Sequence, residues 1–222
     1  ETGKALARAN ALLQGRESSP HFFPVLFGLF HYQCWRGPMD AAHDAADRLL
    51  ELARRAGEPD KLLAAETASG MAEFHGGDLP SALEHLERGI ALYNPSEHAS
   101  LAFAYMLEFG VNNRFHAGIA LFARGYPDRA WAIVESAVAL ARERQPVNVS
   151  AALAFGGQVA IWRRDAEKAR AWADDCIALS NEHGFVQQRA FAKASLGWAL
   201  DEAGNFRDAL VLIEQGIDFF RS

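Results

Sequence analysis

Apolar positions recur along this chain at spacings of three and four, as in Leu49, Leu50, Ala53 and Ala56, or Ala82, Leu83, Leu86, Ile90 and Tyr93. That period places one apolar stripe along a helix, and no stretch sustains the alternation of a strand. Alanine and leucine dominate, and Thr2 and Thr67 are the only threonines, so intrinsic preference also favours helix. The pattern predicts helices over 3–14, 21–36, 39–56, 60–76, 79–93, 96–107, 111–124, 127–144, 148–163, 166–183, 186–203 and 206–220.

The breaks between these helices repeat. Gly37-Pro38-Met39-Asp40 leads to Ala42, and Gly77-Asp78-Leu79-Pro80 to Ala82. Gly125-Tyr126-Pro127-Asp128 leads to Ala130, Arg164-Asp165-Ala166-Glu167 to Ala169, and Gly204-Asn205-Phe206-Arg207 to Ala209. The anchors lie 40, 48, 39 and 40 residues apart, which marks an internal repeat. Where the anchor is a glycine it is expected to end one helix in a left-handed turn. An Asp or Asn is then expected to cap the next helix. The following alanine lets two helices cross closely. Gly70, Gly118, Gly157 and Gly197 precede the later four anchors by seven residues and are expected at the same crossings; Phe30 holds that place in the first unit.

This unit resembles the tetratricopeptide (TPR) helical hairpin. Gly70, Gly77, Ala82 and Pro95 match the family's small-residue and proline positions, as do Gly197, Gly204 and Ala209. Units of about 40 residues exceed the family's usual 34, and Glu66 stands where it keeps a tryptophan. The resemblance implies an all-α, TPR-like right-handed superhelix forming one domain over 1–222. Its hairpins would span 21–56, 60–93, 96–144, 148–183 and 186–220, after a half-hairpin over 1–14. The half-hairpin fits a piece of a longer chain; Leu210, Ile213, Ile217, Phe219 and Phe220 of the end helix read first as ordinary core, and alternatively as a face on which the array continues or pairs through its ends.

The 48-residue spacing holds an insertion at 95–113, for which a bent helix, two helices or a loop stay open. His98, Ala102, Phe103, Tyr105, Gly110, Val111 and Gly125 to Asp128 resemble the repeat region that follows the ATPase module of bacterial signalling proteins. Some of those proteins carry a class III adenylate or guanylate cyclase domain. Glu108 and Phe109 depart from that family's Asp-Pro. The resemblance implies the regulatory or scaffolding arm of a larger ATPase or cyclase.

Charge and composition narrow the classes further. With 22 basic and 28 acidic residues the net charge is −6, against the basic face a nucleic-acid binder needs. No apolar run is long enough to span a membrane. Two distant cysteines, Cys34 and Cys176, fit a reducing, cytoplasmic compartment. No phosphate-binding Gly-Lys-Ser/Thr loop is present, and neither a metal ligand set nor a nucleophile triad is evident. His43 with Asp40, Asp44 and Asp47 reads as an acidic helix start. His85, between Glu84 and Leu86, lacks zinc spacing. No catalytic residue and no cofactor are therefore assigned.

A TPR-like superhelix offers a concave wall built from the first helix of each pair. Counting from the anchors places on it Phe27, His31 and Trp35, then Thr67, Met71, Phe74 and His75. Asn112, Phe115 and Ile119 follow, then Gln158 and Trp162, then Trp198, with Arg114 and His116 flanking. About half are expected inside hairpin packing, Trp35, Phe74 and Trp198 first. The remainder suit a protein or peptide partner, or alternatively a small organic ligand. No Lys/Arg cluster marks the wall as a clamp for an acidic tail.

Overall fold

A computed structural model describes residues 2–13, 15–16, 19–105 and 107–221. Those residues form thirteen helices and no strand. Two compact units divide the chain, Glu1–Ala120 and Leu121–Ser222.

In the first unit α1 (Thr2–Leu13) packs on α2 (Phe22–Arg36). The helix α2 packs on α3 (Met39–Ala56) and α4 (Pro59–Gly76), and α4 on α5 (Leu79–Leu92). Two short helices follow, α6 (Pro95–His98) and α7 (Leu101–Tyr105), and then α8 (Phe109–Ala123), inside which the chain passes to the second unit. There α9 (Pro127–Arg142) packs on α10 (Pro146–Trp162), and α10 on α11 (Ala166–His183) and α12 (Val186–Glu202). The last helix, α13 (Phe206–Arg221), packs on α12.

The anchor alanines do what the repeat predicts. Ala42, Ala82, Ala130, Ala169 and Ala209 are all buried. A Cβ on Gly70 would come within 2.7 Å of Leu86, so glycine lets α4 and α5 touch. In the fourth hairpin the close approach belongs to Gly156, whose Cβ would meet Trp172 at 2.8 Å; Gly157 faces Ser195 of α12 instead.

The turns diverge from one rule. Gly77 takes φ 92°, Gly125 87° and Gly204 80°, as a left-handed cap requires. Gly37 departs from this expectation: it is extended, at φ −105° and ψ −178°, because Pro38 excludes helical geometry from the residue before it. Arg164 adopts φ 62° without being glycine. Asp78 and Asp165 cap their helices through the amides of Ser81 and Lys168. Pro38 and Tyr126 hold the cap positions of α3 and α9 without a side-chain bond, and Asp40 and Asp128 sit within the first turns.

The single helix expected over 96–107 is two pieces. His98 is buried; its Nδ1 accepts the Asn94 amide at 3.0 Å, and its Nε2 faces Asp60 of α4 at 3.3 Å. Tyr105 instead packs edge-on against Phe27 of α2, with ring centroids 5.1 Å apart. The two ends are thus tied to different helices, and the chain turns at Ala99 and Ser100 between them.

Candidate functional site

The ten candidate residues separate by burial. In the first unit Phe27, Thr67, Met71, Asn112 and Phe115 are enclosed, while His31, His75 and Ile119 are half-buried. In the second unit Gln158 is half-buried and Trp162 is exposed. Phe27 is enclosed because Tyr105 and Phe109 cover it, at 5.1 and 5.7 Å between ring centroids. Thr67 turns its hydroxyl onto the Leu63 carbonyl of its own helix. The expectation that Trp35 is core is corrected: it stays 37% exposed, near the end of α2. Phe74 and Trp198 are half-buried.

His31 and His75 belong to one cluster of histidines and aromatic rings. The His75 ring stands edge-on to Trp35 at 5.2 Å and to His116 at 5.8 Å. Phe74 stands edge-on to His116 at 5.0 Å. Three helices supply the cluster: α2 gives His31 and Trp35, α4 gives Phe74 and His75, and α8 gives His116. The sequence marked His116 only as a flanking residue. Its place one turn after Asn112 puts both on one face of α8, and that was the available signal.

The cluster is held uncharged. Burial lowers the pKa of His75. Burial, then the neighbouring His75, lowers that of His31. His116 is pushed down to about 3, first by burial and then by His75, against the opposing bond to the Asn112 carbonyl. That bond, 3.0 Å long, places the proton of a neutral ring on Nδ1. Among the described residues, His75 Nε2 and Asn112 Oδ1 are buried and make no hydrogen bond. Unpaired buried polar atoms cost about 1–3 kcal/mol each, so both weaken the fold where they stand.

A second polar group lies between α4 and α5. Glu66, at the place of the repeat's tryptophan, is buried and accepts bonds from His85 Nδ1 at 2.7 Å and Arg88 Nε at 2.9 Å. Burial alone would raise its pKa; the bonds to His85 and Arg88 outweigh it and hold the carboxyl low. Polar pairing thus replaces a tryptophan's packing here. No group of three or more His, Cys, Asp or Glu among the described residues is arranged to hold a metal. Cys34 and Cys176 are buried free thiols, and burial pushes Cys34 up to about 12. No helix among the described residues is long and apolar enough to cross a membrane.

In the second unit the turn ends carry stacked rings and cations. Trp131 and Trp172 stack at 5.3 Å, with Arg163 over Trp131 at 5.1 Å and Lys168 over Trp172 at 5.4 Å. Arg164 lies 5.7 Å from the Trp198 ring and pairs with Glu202 at 2.9 Å. Arg163 and Arg164 are also paired with carboxylates, Asp128 and Glu202.

No family model and no curated protein matches this chain. Solved structures do. The chain is similar to BtubC (BKLC) from P. vanneervenii, with a TM-score of 0.67 and 14% identity over 98% of this chain and 86% of that one. It is similar to the nearly identical TPR-like repeats ascribed to a kinesin light chain of Podosopora anserina, with a TM-score of 0.61 and 16% identity over 87% of this chain and 92% of that one. A Rap protein complexed with competence and sporulation factor gives a TM-score of 0.69 and 16% identity over 87% of this chain but 54% of that one. At these identities the likeness concerns fold, and the fold it shows is a TPR-like array of helices.

Proposed function

We propose that this chain is a non-catalytic, regulatory protein- or peptide-binding module. The observation that carries the reading is the α2–α4–α8 cluster. Trp35 offers a partly exposed ring, His31 and His75 offer uncharged polar edges, and His75 Nε2 lacks a partner. An aromatic face beside uncharged polar side chains suits a short peptide whose own side chain covers the ring. The solved Rap structure, in which a similar fold is complexed with competence and sporulation factor, supports a binding role. Of the ten residues named from the sequence, His31 and His75 carry this reading. Phe27, Met71, Asn112 and Phe115 are buried and do not face a partner.

The finer reading is a cytoplasmic regulatory arm of a larger signalling ATPase or cyclase. It rests on the sequence resemblance around His98 to Asp128 and on two buried free thiols. Selection of random displayed peptides on the whole chain tests the binding reading. Enriched peptides that lose binding by tenfold or more, about 1.4 kcal/mol, on Trp35→Ala or His75→Ala are expected. Enrichment of nothing, or of peptides indifferent to both changes, would refute it. A small metabolite that raises Tm only when Trp35 and His75 are intact would favour the alternative ligand class.

A further inference from the structure

The aromatic row of α2 is longer than its open part. Phe23, Phe27, His31 and Trp35 recur every four residues, so each is the surface neighbour of the next. The far half of the row carries the binding reading: Trp35 meets His75 ring to ring and is partly exposed. The near half is covered. Tyr105 of α7 stands edge-on to Phe23, with ring centroids 6.4 Å apart, and to Phe27 at 5.1 Å.

This cover is an addition to the repeat. The anchors on either side of it lie 48 residues apart, against 39 or 40 elsewhere, and α10 with α11 and α12 with α13 pack without such a segment. It is also lightly held. None of the five residues of α7 is buried, and Phe103 is 75% exposed. Five residues are too few for a helix to persist on its own hydrogen bonds. The strap formed by α6 and α7 is fastened at its two ends. At one, the Tyr105 ring lies on α2 and meets Phe109 of α8 at 5.3 Å. At the other, His98 Nε2 faces the solvent-exposed Asp60 of α4 at 3.3 Å.

We infer that α7 is a built-in occupant of the binding groove, and that the guest is a peptide whose aromatic side chain takes the place of Tyr105 on Phe23 and Phe27 while adjoining residues reach His31 and Trp35. This rests on the peptide-binding reading and adds regulated entry to it. With the strap closed, Phe27 is covered and a guest meets only the Trp35 end. With the strap displaced, Phe27 joins the open wall and the whole row is offered, Phe109 keeping its place beside it. Tyr105 and the guest's ring use the same edge-on packing on the same two phenylalanines, so one excludes the other. The affinity of the wild-type chain is therefore reduced by the fraction of chains in which the strap is open.

Peptides selected from a random display library on the wild-type chain, and separately on Tyr105→Ala, supply the probes. Tyr105→Ala is expected to bind them about tenfold more tightly or better, and the enriched peptides are expected to carry Phe, Tyr or Trp. Adding Phe23→Ala is expected to remove that gain, which a strap with a merely structural role would not produce. Asp60→Ala loosens the other end without touching the row, and is expected to strengthen binding by a smaller factor. Equal or weaker binding by both strap variants, or enriched peptides without an aromatic residue, overturns the inference and leaves the binding reading standing. Enrichment of nothing on either chain refutes the binding reading, and the inference falls with it. Hydrogen–deuterium exchange of the unliganded wild-type chain in low urea needs neither variant nor peptide. The amides of 101–105 are expected to exchange through an opening of their own, well before those of α4. Exchange of both in one cooperative step would mean that the strap opens only when the unit unfolds, and would contradict the inference.

Discussion

His116 shows how one side chain sets a pH response. Its neutral form is favoured in the folded chain, while the unfolded chain titrates near 6.5. Below that pH the unfolded state therefore binds the extra proton. Stability is full above about 6.5, falls as pH drops through that value, and goes on falling toward the folded pKa of about 3. His31 and His75 shift in the same direction and add to the loss. For His116 alone the slope approaches about 1.4 kcal/mol per pH unit. His116→Phe is expected to flatten the dependence of unfolding free energy on pH between 6.5 and 5 by up to that amount per unit, as read by urea titration at several pH values. An unchanged slope would mean that the imidazole charges without cost.

Two turn residues make a contrasting pair at the same scale. Gly77 sits at φ 92°, where a β-carbon is penalised, so Gly77→Leu is expected to cost about 1 kcal/mol or more and lower Tm. Arg164 occupies the matching turn at φ 62° with its β-carbon in place. Arg164→Gly is expected to gain up to about 1 kcal/mol, because its exposed pair with Glu202 contributes little. Equal stability in both variants would show that backbone conformation does not limit these turns.

Among the elements, the α6–α7 strap settles the open question of 95–113 as two short helices. It is fastened by His98 to the start of α4 and by Tyr105 to α2. Tyr105 also sits near Asp60 and Glu58, and burial followed by those carboxylates pushes its phenol to about 12. Tyr105→Ala is expected to uncover Phe27 and to cost about 2–4 kcal/mol, with faster proteolytic cutting between residues 99 and 108. Resistance equal to wild type would mean that Tyr105 does not hold the strap. The strap explains why the sequence located helices better than site residues. Helix period, anchor alanines and glycine turns are local signals, so eleven of the twelve expected helices stand within about two residues of their places. Which wall residues stay open depends on what folds over them. Phe27 is covered by Tyr105, distant in sequence, and no periodicity within α2 reports that. Trp35 errs the other way: it is apolar and at helical spacing, yet its turn of α2 lies beyond the strap's contacts with Phe23 and Phe27. Glu66 was legible as a departure from the repeat, but its partners His85 and Arg88 emerge only once α4 and α5 pair.

Across the whole chain, one fold serves two units of different chemistry. The first gathers three uncharged histidines beside open aromatic surface, and the second lines its turns with tryptophans already covered by arginine and lysine. Repeat folds carry many functions, so the reading rests on these side chains rather than on the fold. The binding proposal therefore belongs to the first unit. Hydrogen–deuterium exchange of the whole chain with and without a selected peptide tests the central claim most directly. Slowed exchange is expected in α2 around Trp35 and in α4 around Phe74 and His75, and it is expected to vanish with His75→Ala. Protection confined to the second unit, or unaffected by His75→Ala, would contradict the account.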